Sequence, residues 1–342
     1  MTSASPVTVV VLGMHRSGTS LLARLLSLAG VELGAAANLA PAAADNPRGF
    51  WEHAALRDVN DALLQSFGGS WSSPPELPPN WLKDPRVEPL RARAREILER
   101  DFKALSVWGF KDPRASLVAD FWQEILPGRV AWIVAVRNPL EVADSLRRRN
   151  GMPRVLAEDL WNVYTRSALR LAPFGARAIL HYERLLEDPA AEIERLAKAL
   201  DLPITSSGSA QLKQEAHREL RHHVVNPEEL QRAPDWRQAT KDLHRRLWNG
   251  EDPGPLRDEA EEPGFRRAFI ELRSAYGRLL DERDHLRSAL AAREQEAQQH
   301  RLLLSELLQL RHDHQLLKNR AESRMGERLR RILRSLRPSR RS

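Results

Sequence analysis

The sequence predicts an α/β domain, a largely parallel sheet in three layers, followed by a long C-terminal helix or coiled coil. Three observations carry this. Through the first two hundred residues, short apolar runs alternate with segments of helical spacing, the pattern of strands joined by crossover helices. The first run opens directly into a glycine-bearing turn and a leucine-rich helix. Residues 265–337 contain no proline.

In chain order, Val-Thr-Val-Val-Val-Leu at 7–12 is the first buried strand, and 20–29 is helical through Leu21, Leu22, Leu25, Leu26 and Leu28. Irregular stretches at 35–49 and 68–85, the second holding Ser-Ser-Pro-Pro and Pro-Pro-Asn, read as substrate walls or lids beside that turn. Strands follow at 106–110, 130–136 and 176–182, with helices at 115–125, 139–149 and 190–200. Pro139 suits a first helical turn. From 203 to 264 the chain is polar and broken by Pro227, Pro234, Pro253, Pro255 and Pro263, so short helices and a linker are expected. Leu272, Tyr276, Leu279, Leu286, Leu290, Ala297, Leu304 and Leu307 then fall on alternating spacings of three and four, with Arg283, Arg293 and His300 interrupting the seam. The expected divisions are a core over 1–202, a completing segment and linker over 203–264, and a basic helical tail over 265–342.

Composition narrows the function classes. The chain has 342 residues, 42% of them hydrophobic, which is ordinary for a buried core. There is no cysteine, which excludes disulfides, thiolate metal sites and cysteine nucleophiles. No apolar run approaches the roughly 18 to 20 residues that span a bilayer, and residues 1–6 lack a secretory pattern, so a cytoplasmic setting is expected. The net charge is +7, and residues 266–342 carry nineteen Lys and Arg against ten Asp and Glu. The basic character therefore belongs to the tail.

Two constellations carry chemistry. "GMHRSGTS", residues 13–20, nearly spells the phosphate loop GxxxxGK[ST], with Thr19 where the lysine is expected. A strand, a glycine turn and a helix start place backbone N–H groups around an anion, and Gly18, Thr19 and Ser20 permit close approach and add hydroxyl donors. The nearest cation is Arg16, inside the turn. The second constellation is "AVRNPLEVADSLRRRNG", where Arg137 ends a strand and Ser145 follows about two helical turns later. Together they present a guanidinium and a hydroxyl to one phosphate.

These residues resemble the sulfotransferase family that uses 3′-phosphoadenosine 5′-phosphosulfate, in a form that looks like its bacterial branch. Arg16-Ser17-Gly18-Thr19-Ser20 is similar to the family's 5′-phosphosulfate loop, and Arg137-Asn138-Pro139 with Ser145 to its 3′-phosphate motif. "LHYERLLEDP" resembles the segment whose tyrosine, here Tyr182, lies near the nucleotide base. "WGFKDPRAS" resembles the segment whose lysine, here Lys111, lies near the sulfuryl group. The resemblance covers about residues 7–200 and implies a P-loop-like fold, transfer to a hydroxyl or amine, and no required metal. It implies Arg16 and Lys111 as the charges that steady the leaving oxygens. For the general base, Glu52 in "NPRGFWEH" is favoured, with His53 and Asp112 as rivals. The family's late Arg-Lys-Gly element has no copy after Asp201, and Arg147–Arg149 or Arg24 are the candidate substitutes.

Two other classes compete. A P-loop kinase or nucleotide hydrolase wants the loop lysine and a strand-end carboxylate for Mg²⁺, but the positions here are Thr19 and Arg137. A membrane or partner adaptor would use the tail, where Leu329, Ile332, Leu333 and Leu336 share one face among arginines. The tail is expected to serve the enzyme by contact with anionic membrane, with a partner, or with a second copy as a homodimer. A glycan or its lipid-linked precursor is one expected acceptor, and small metabolites are the other. Nothing resembles a module that reads nucleic acid.

Overall fold

A computed structural model describes residues 6–41, 49–170, 176–204, 209–217, 227–251, 253 and 263–335. In chain order the first elements are β1 (Val7–Gly13), α1 (Thr19–Leu28), α2 (Ala54–Ser66), α3 (Glu88–Phe102), β2 (Val107–Lys111), α4 (Ala119–Ile125) and β3 (Arg129–Val136). They are followed by α5 (Pro139–Asn150), α6 (Arg154–Leu169), β4 (Ala176–His181), α7 (Tyr182–Glu187), α8 (Pro189–Ala199), α9 (Ser209–His217), α10 (Pro227–Arg232), α11 (Gln238–Trp248) and α12 (Pro263–Ser335).

The strands form one parallel sheet in the order β2-β1-β3-β4. Both faces of its centre are buried, which is why β1 and β3 read as nearly continuous apolar runs rather than alternating ones. On one face Val7, Val9 and Val11 of β1 join Ala131, Ile133 and Ala135 of β3 and pack with Leu21, Leu22, Leu25 and Leu26 of α1 and with Ile193 and Leu196 of α8. The alternate residues, among them Val10, Leu12, Trp132 and Val134, are equally buried, and α6 lies against β1 and β3.

Register places the site. Val11 stands beside Lys111 and Gly13 beside Ala135, while Val136 stands beside His181. The chain therefore leaves β1, β2, β3 and β4 along one edge, where open parallel sheets bind ligands. Gly13 has φ +137°, and a Cβ there would stand 2.4 Å from the Ala135 carbonyl oxygen, so only glycine lets the two strand ends approach.

All four expected strands form, with ends shifted by a residue. The expected helix at 115–125 is broken. Asp112 accepts from Arg114 N and starts a 3₁₀ turn over Pro113–Ser116, and α4 begins only at Ala119. Helices α2, α3 and α6 went unread, although Leu56, Val59, Leu63 and Leu64 of α2 keep helical spacing and Gly151, Pro153, Pro173 and Gly175 bracket α6 in the sequence. Residues 42–48 of the first irregular stretch, parts of the expected linker and Leu336 lie outside the described residues.

The chain divides into two compact units, one ending at Gly277 and the other starting at Arg278. Helix α12 supplies the last turns of the first unit and the described part of the second. In the second unit Leu279, Leu286, Leu290, Leu304 and Leu307 are exposed. Among the described residues no helix is long and apolar enough to cross a membrane.

Two buried histidines join α11 to the end of β4. His181 Nε2 is 3.0 Å from the Leu247 carbonyl oxygen, and the Trp248 indole packs on the His181 ring at 5.0 Å. Burial lowers both His181 and His244 to about 4, and for His244 the neighbouring His181 adds to the effect. With folded values below the ordinary 6.5, the histidines contribute stability above that pH and lose it as pH falls towards 4. Each effect is at most about 3 kcal/mol. Thermal melts between pH 7 and pH 4.5 should show a steep fall in Tm that His244→Leu reduces. An identical fall in both proteins would contradict the assignment.

Candidate active site

The turn over residues 13–20 forms between β1 and α1 as the sequence suggests. After Gly13 the chain turns through Met14-His15-Arg16-Ser17-Gly18, with positive φ at Arg16 (69°) and Gly18 (78°), and Ser17 N donates to Met14 O at 3.2 Å. No side chain caps the start of α1, so its first N–H groups stay directed at the loop. The Ser17 hydroxyl is buried without a partner. Ser116 Oγ accepts from Gly13 N at 2.9 Å, and Ser20 Oγ donates to Phe50 O at 3.2 Å, which joins the loop to the segment carrying Glu52.

The second constellation meets the first. Arg16 Nε donates to Ser145 Oγ at 2.9 Å, and Arg137 Nη1 donates to Arg16 O at 3.1 Å. Glu141 grips the other side of Arg137, with both Nε and Nη2 at 2.6 Å from Oε2. The guanidinium lies 4.2 Å above the Tyr182 ring. Tyr182 in turn covers Gly18, where an added Cβ would stand 2.1 Å from the ring. Asn138 holds the turn rigid: its side chain accepts from Leu140 N, and its own N–H donates to Glu183 Oε1 at 2.8 Å. Burial raises the Glu183 carboxyl above its usual range, although the Asn138 N–H opposes this.

On the β2 side Lys111 Nζ donates to Glu52 Oε1 at 2.7 Å, and both side chains are nearly inaccessible. Asp112 is also buried. Its Oδ1 accepts from Arg114 N and Nη1, both at 3.0 Å, and its Oδ2 accepts from Asn60 at 2.7 Å. Burial pushes the Asp112 carboxyl up, and Arg114 pulls it back in part. Arg114 also pairs with Asp61 at 2.6 Å and lies 3.9 Å from Glu52. His53 faces elsewhere: its Nε2 is 3.2 Å from Asp101, and its ring packs on Phe102. Burial lowers its pKa and Asp101 opposes that.

Arg16, Ser17, Gly18, Thr19, Ser20, Arg137, Ser145 and Tyr182 therefore form one group, and Glu52, Lys111 and Asp112 a second beside it. Of the candidate basic substitutes, Arg147 and Arg148 both pair with Asp144, Arg149 lies 5.9 Å over Trp71, and Arg24 lies 4.8 Å over Trp51.

Sequence reasoning missed His15, Trp71 and Glu141. The His15 ring packs against Trp71 at 4.8 Å and Tyr164 at 5.6 Å, and its Nε2 is buried without a partner. Burial, then Arg114, Arg149, Lys111 and Arg16, hold its pKa well below the ordinary value, so it is a neutral imidazole among four cations. His15 lay inside the quoted motif, whereas Trp71 lies in an irregular stretch and carried no sequence signal. The whole arrangement can hold a ligand with two anionic groups and place a carboxylate beside the lysine that faces it. Among the described residues no group of acidic or histidine side chains is arranged to hold a metal.

A sequence profile described as the sulfotransferase family matches residues 6–206. Among solved structures, the chain is similar to the sulfotransferase domain from the Synechococcus PCC 7002 olefin synthase, with 21% identity, 75% of this chain and 93% of that one covered, and a TM-score of 0.40. It is also similar to the sulfotransferase domain from the curacin biosynthetic pathway, with 13% identity, 73% and 99% covered, and a TM-score of 0.40. A third is the sulfotransferase STF9 from Mycobacterium avium, with 16% identity, 66% and 70% covered, and a TM-score of 0.36. No curated protein matches the chain.

Removing one partner of the buried Lys111–Glu52 pair leaves the other charge uncompensated. Lys111→Met should cost about 3 kcal/mol, the lower end of the usual range because Arg114 is near Glu52. The double variant Lys111→Met/Glu52→Leu should recover most of that loss. Chemical denaturation of the three proteins checks this, and equal losses in single and double variants would refute it.

Proposed function

The chain belongs to the sulfotransferase family, and on that premise we propose that it moves the sulfuryl group of 3′-phosphoadenosine 5′-phosphosulfate to a hydroxyl or amine acceptor. The observation that carries the donor assignment is the junction of the two anion motifs, Arg16 on Ser145 and Arg137 on the Arg16 carbonyl. A nucleotide with phosphates at both the 5′ and the 3′ position needs such a pair of adjoining sites. The partnerless Ser17 hydroxyl and the close cover of Gly18 by Tyr182 fit the same ligand.

In this reading Ser17, Gly18, Thr19 and Ser20 hold the 5′ end, Arg137 and Ser145 the 3′-phosphate, and Tyr182 the base. The donor supplies a sulfuryl group already attached to a good phosphate leaving group. Arg16 and Lys111 offset the charge that grows on the leaving oxygens as the old S–O bond breaks and the new one forms. Glu52 takes the acceptor proton. Two placements support Glu52 over its rivals. His53 is turned to Asp101, and both oxygens of Asp112 already accept hydrogen bonds.

The rest of the proposal concerns α12 and the setting. Its exposed leucines support self-association as a homodimer, and the charge of the tail supports contact with the inner face of an anionic membrane. A cytoplasmic enzyme placed there would reach a glycan or lipid-linked glycan.

Calorimetry with 3′-phosphoadenosine 5′-phosphate tests the donor assignment, with AMP and Mg–ATP as controls. Micromolar binding that requires the 3′-phosphate and ignores Mg²⁺ is expected, and preference for Mg–ATP would overturn the reading. Arg137→Ala should weaken binding by about ten- to a hundredfold, the loss of a charge-assisted contact. Arg16→Ala should abolish turnover of the sulfated donor while leaving most nucleotide affinity in place.

A further inference from the structure

Deepening the sulfotransferase reading, on which it rests, we propose that the first turns of α12 complete the active site. Arg273 and Gly277 are positioning residues that hold Trp71 against His15 as the wall on which the acceptor lies. These turns belong to the first compact unit, and they lie beyond residue 206, where the family match ends.

The sheet order separates the two halves of the site. Arg137 and Tyr182 stand at the ends of β3 and β4, so the nucleotide occupies that side, whereas Lys111 and Glu52 stand on the β2 side of the loop. His15 lies towards the reacting half: its ring packs on Tyr164 of α6, and α6 lies against the 3₁₀ turn Pro113–Ser116 that follows Lys111 and Asp112. Trp71 packs on His15, and Arg149 lies over the indole. An acceptor approaching the reacting end meets this aromatic and cationic surface.

The stretch carrying Trp71 has little structure of its own. Between α2 and α3 its only regular piece is a 3₁₀ turn over Trp81–Lys83. It is held from outside. Tyr164 donates to Trp71 O at 2.7 Å. Arg273 donates to Pro74 O at 3.1 Å through Nη2 and to Asp159 of α6 at 2.7 Å through Nη1, and its side chain is only 9% exposed. One residue on, Ser274 accepts from Ser73 at 3.3 Å. Tyr276 donates to Asn150 O at 3.3 Å, next to Arg149. One turn of helix thus bonds to Ser73 and Pro74, two and three residues past Trp71, and to the Asn150 carbonyl next to Arg149.

Gly277 shows how close this contact is. An added Cβ would stand 2.7 Å from Ser73 Cβ. In a free helix Ala is favoured over Gly by about 1 kcal/mol. Here the same change pushes the loop away. Order imposed on an irregular segment has an entropic cost, and a misplaced wall loses rate steeply, so a buried arginine with two separate anchors suits a positioning role.

The test uses the full chain with Arg273→Ala, Gly277→Ala, Trp71→Ala and the double variant Arg273→Ala/Trp71→Ala. Hydrogen exchange of the backbone amides of Ser70, Trp71, Ser72 and Ser73 should rise about tenfold in Arg273→Ala and Gly277→Ala, while exchange in the phosphate loop stays as in wild type. Affinity for 3′-phosphoadenosine 5′-phosphate should stay within about threefold, because the donor contacts are untouched. Water serves as the acceptor probe, giving inorganic sulfate and 3′-phosphoadenosine 5′-phosphate. A displaced wall admits water, so this hydrolysis should rise several-fold in Arg273→Ala and Trp71→Ala and no further in the double variant. Unchanged exchange, unchanged hydrolysis, or additive effects in the double variant would each overturn the proposal. If wild type fails to bind the nucleotide, the sulfotransferase reading itself falls. Normal binding with any of those three results sinks only the wall.

Discussion

The close approach of β1 to β3 at their C-terminal ends is the constraint on which the site depends. Gly13 sits against Ala135 with no room for a side chain, so the phosphate loop and the Arg137 turn leave the sheet side by side. Every contact between the two anion motifs follows from that spacing. Arg137 reaches the Arg16 carbonyl, Arg16 reaches Ser145, and Tyr182, one residue past the strand next to β3, covers Gly18. A side chain at residue 13 would part the strand ends and separate all four.

The same edge gathers buried charge, and the fold answers it by pairing. Lys111 meets Glu52, Arg114 meets Asp61 and Asp112, Arg137 meets Glu141, and Arg273 meets Asp159. Isolated, any of these charges would be costly to bury; paired, they fix one geometry, because each carboxylate accepts only where its partner's donors point. His15 is the exception that reveals the field. Surrounded by four cations and unable to share their charge, it stays neutral. This part of the site therefore carries its charges in pairs beside a neutral aromatic surface.

Much of this was legible in the sequence, and for physical reasons. A strand buried on both faces must be apolar, a tight turn from strand to helix needs glycine, and an arginine that closes an apolar run stands at the edge of the sheet. So β1, the loop through Ser20, β3, Arg137 and Ser145 could be read from local pattern. Asn138 and Pro139, which start α5, are equally local. The break in the expected helix at 115–125 was not. Asp112 caps a 3₁₀ turn there, while the spacing of Ala115, Leu117 and Val118 suits a continuous helix as well.

What the sequence alone determined is the set of elements whose cause lies within a few residues: the parallel strands, the glycine turn before α1, the Arg137 turn before α5 and the long proline-free helix. Only the tertiary structure decided which distant residues meet. Glu52 reaches Lys111 across 59 positions, His53 turns to Asp101 instead of the site, and Arg273 reaches Pro74 across 199. Those pairings depend on packing between elements far apart in the chain, which leaves no period or motif in either partner. Trp71 marks the limit most clearly. Its surroundings have no helix or strand, so nothing local indicates its place beside His15, and a helix two hundred residues later bonds to its neighbours Ser73 and Pro74.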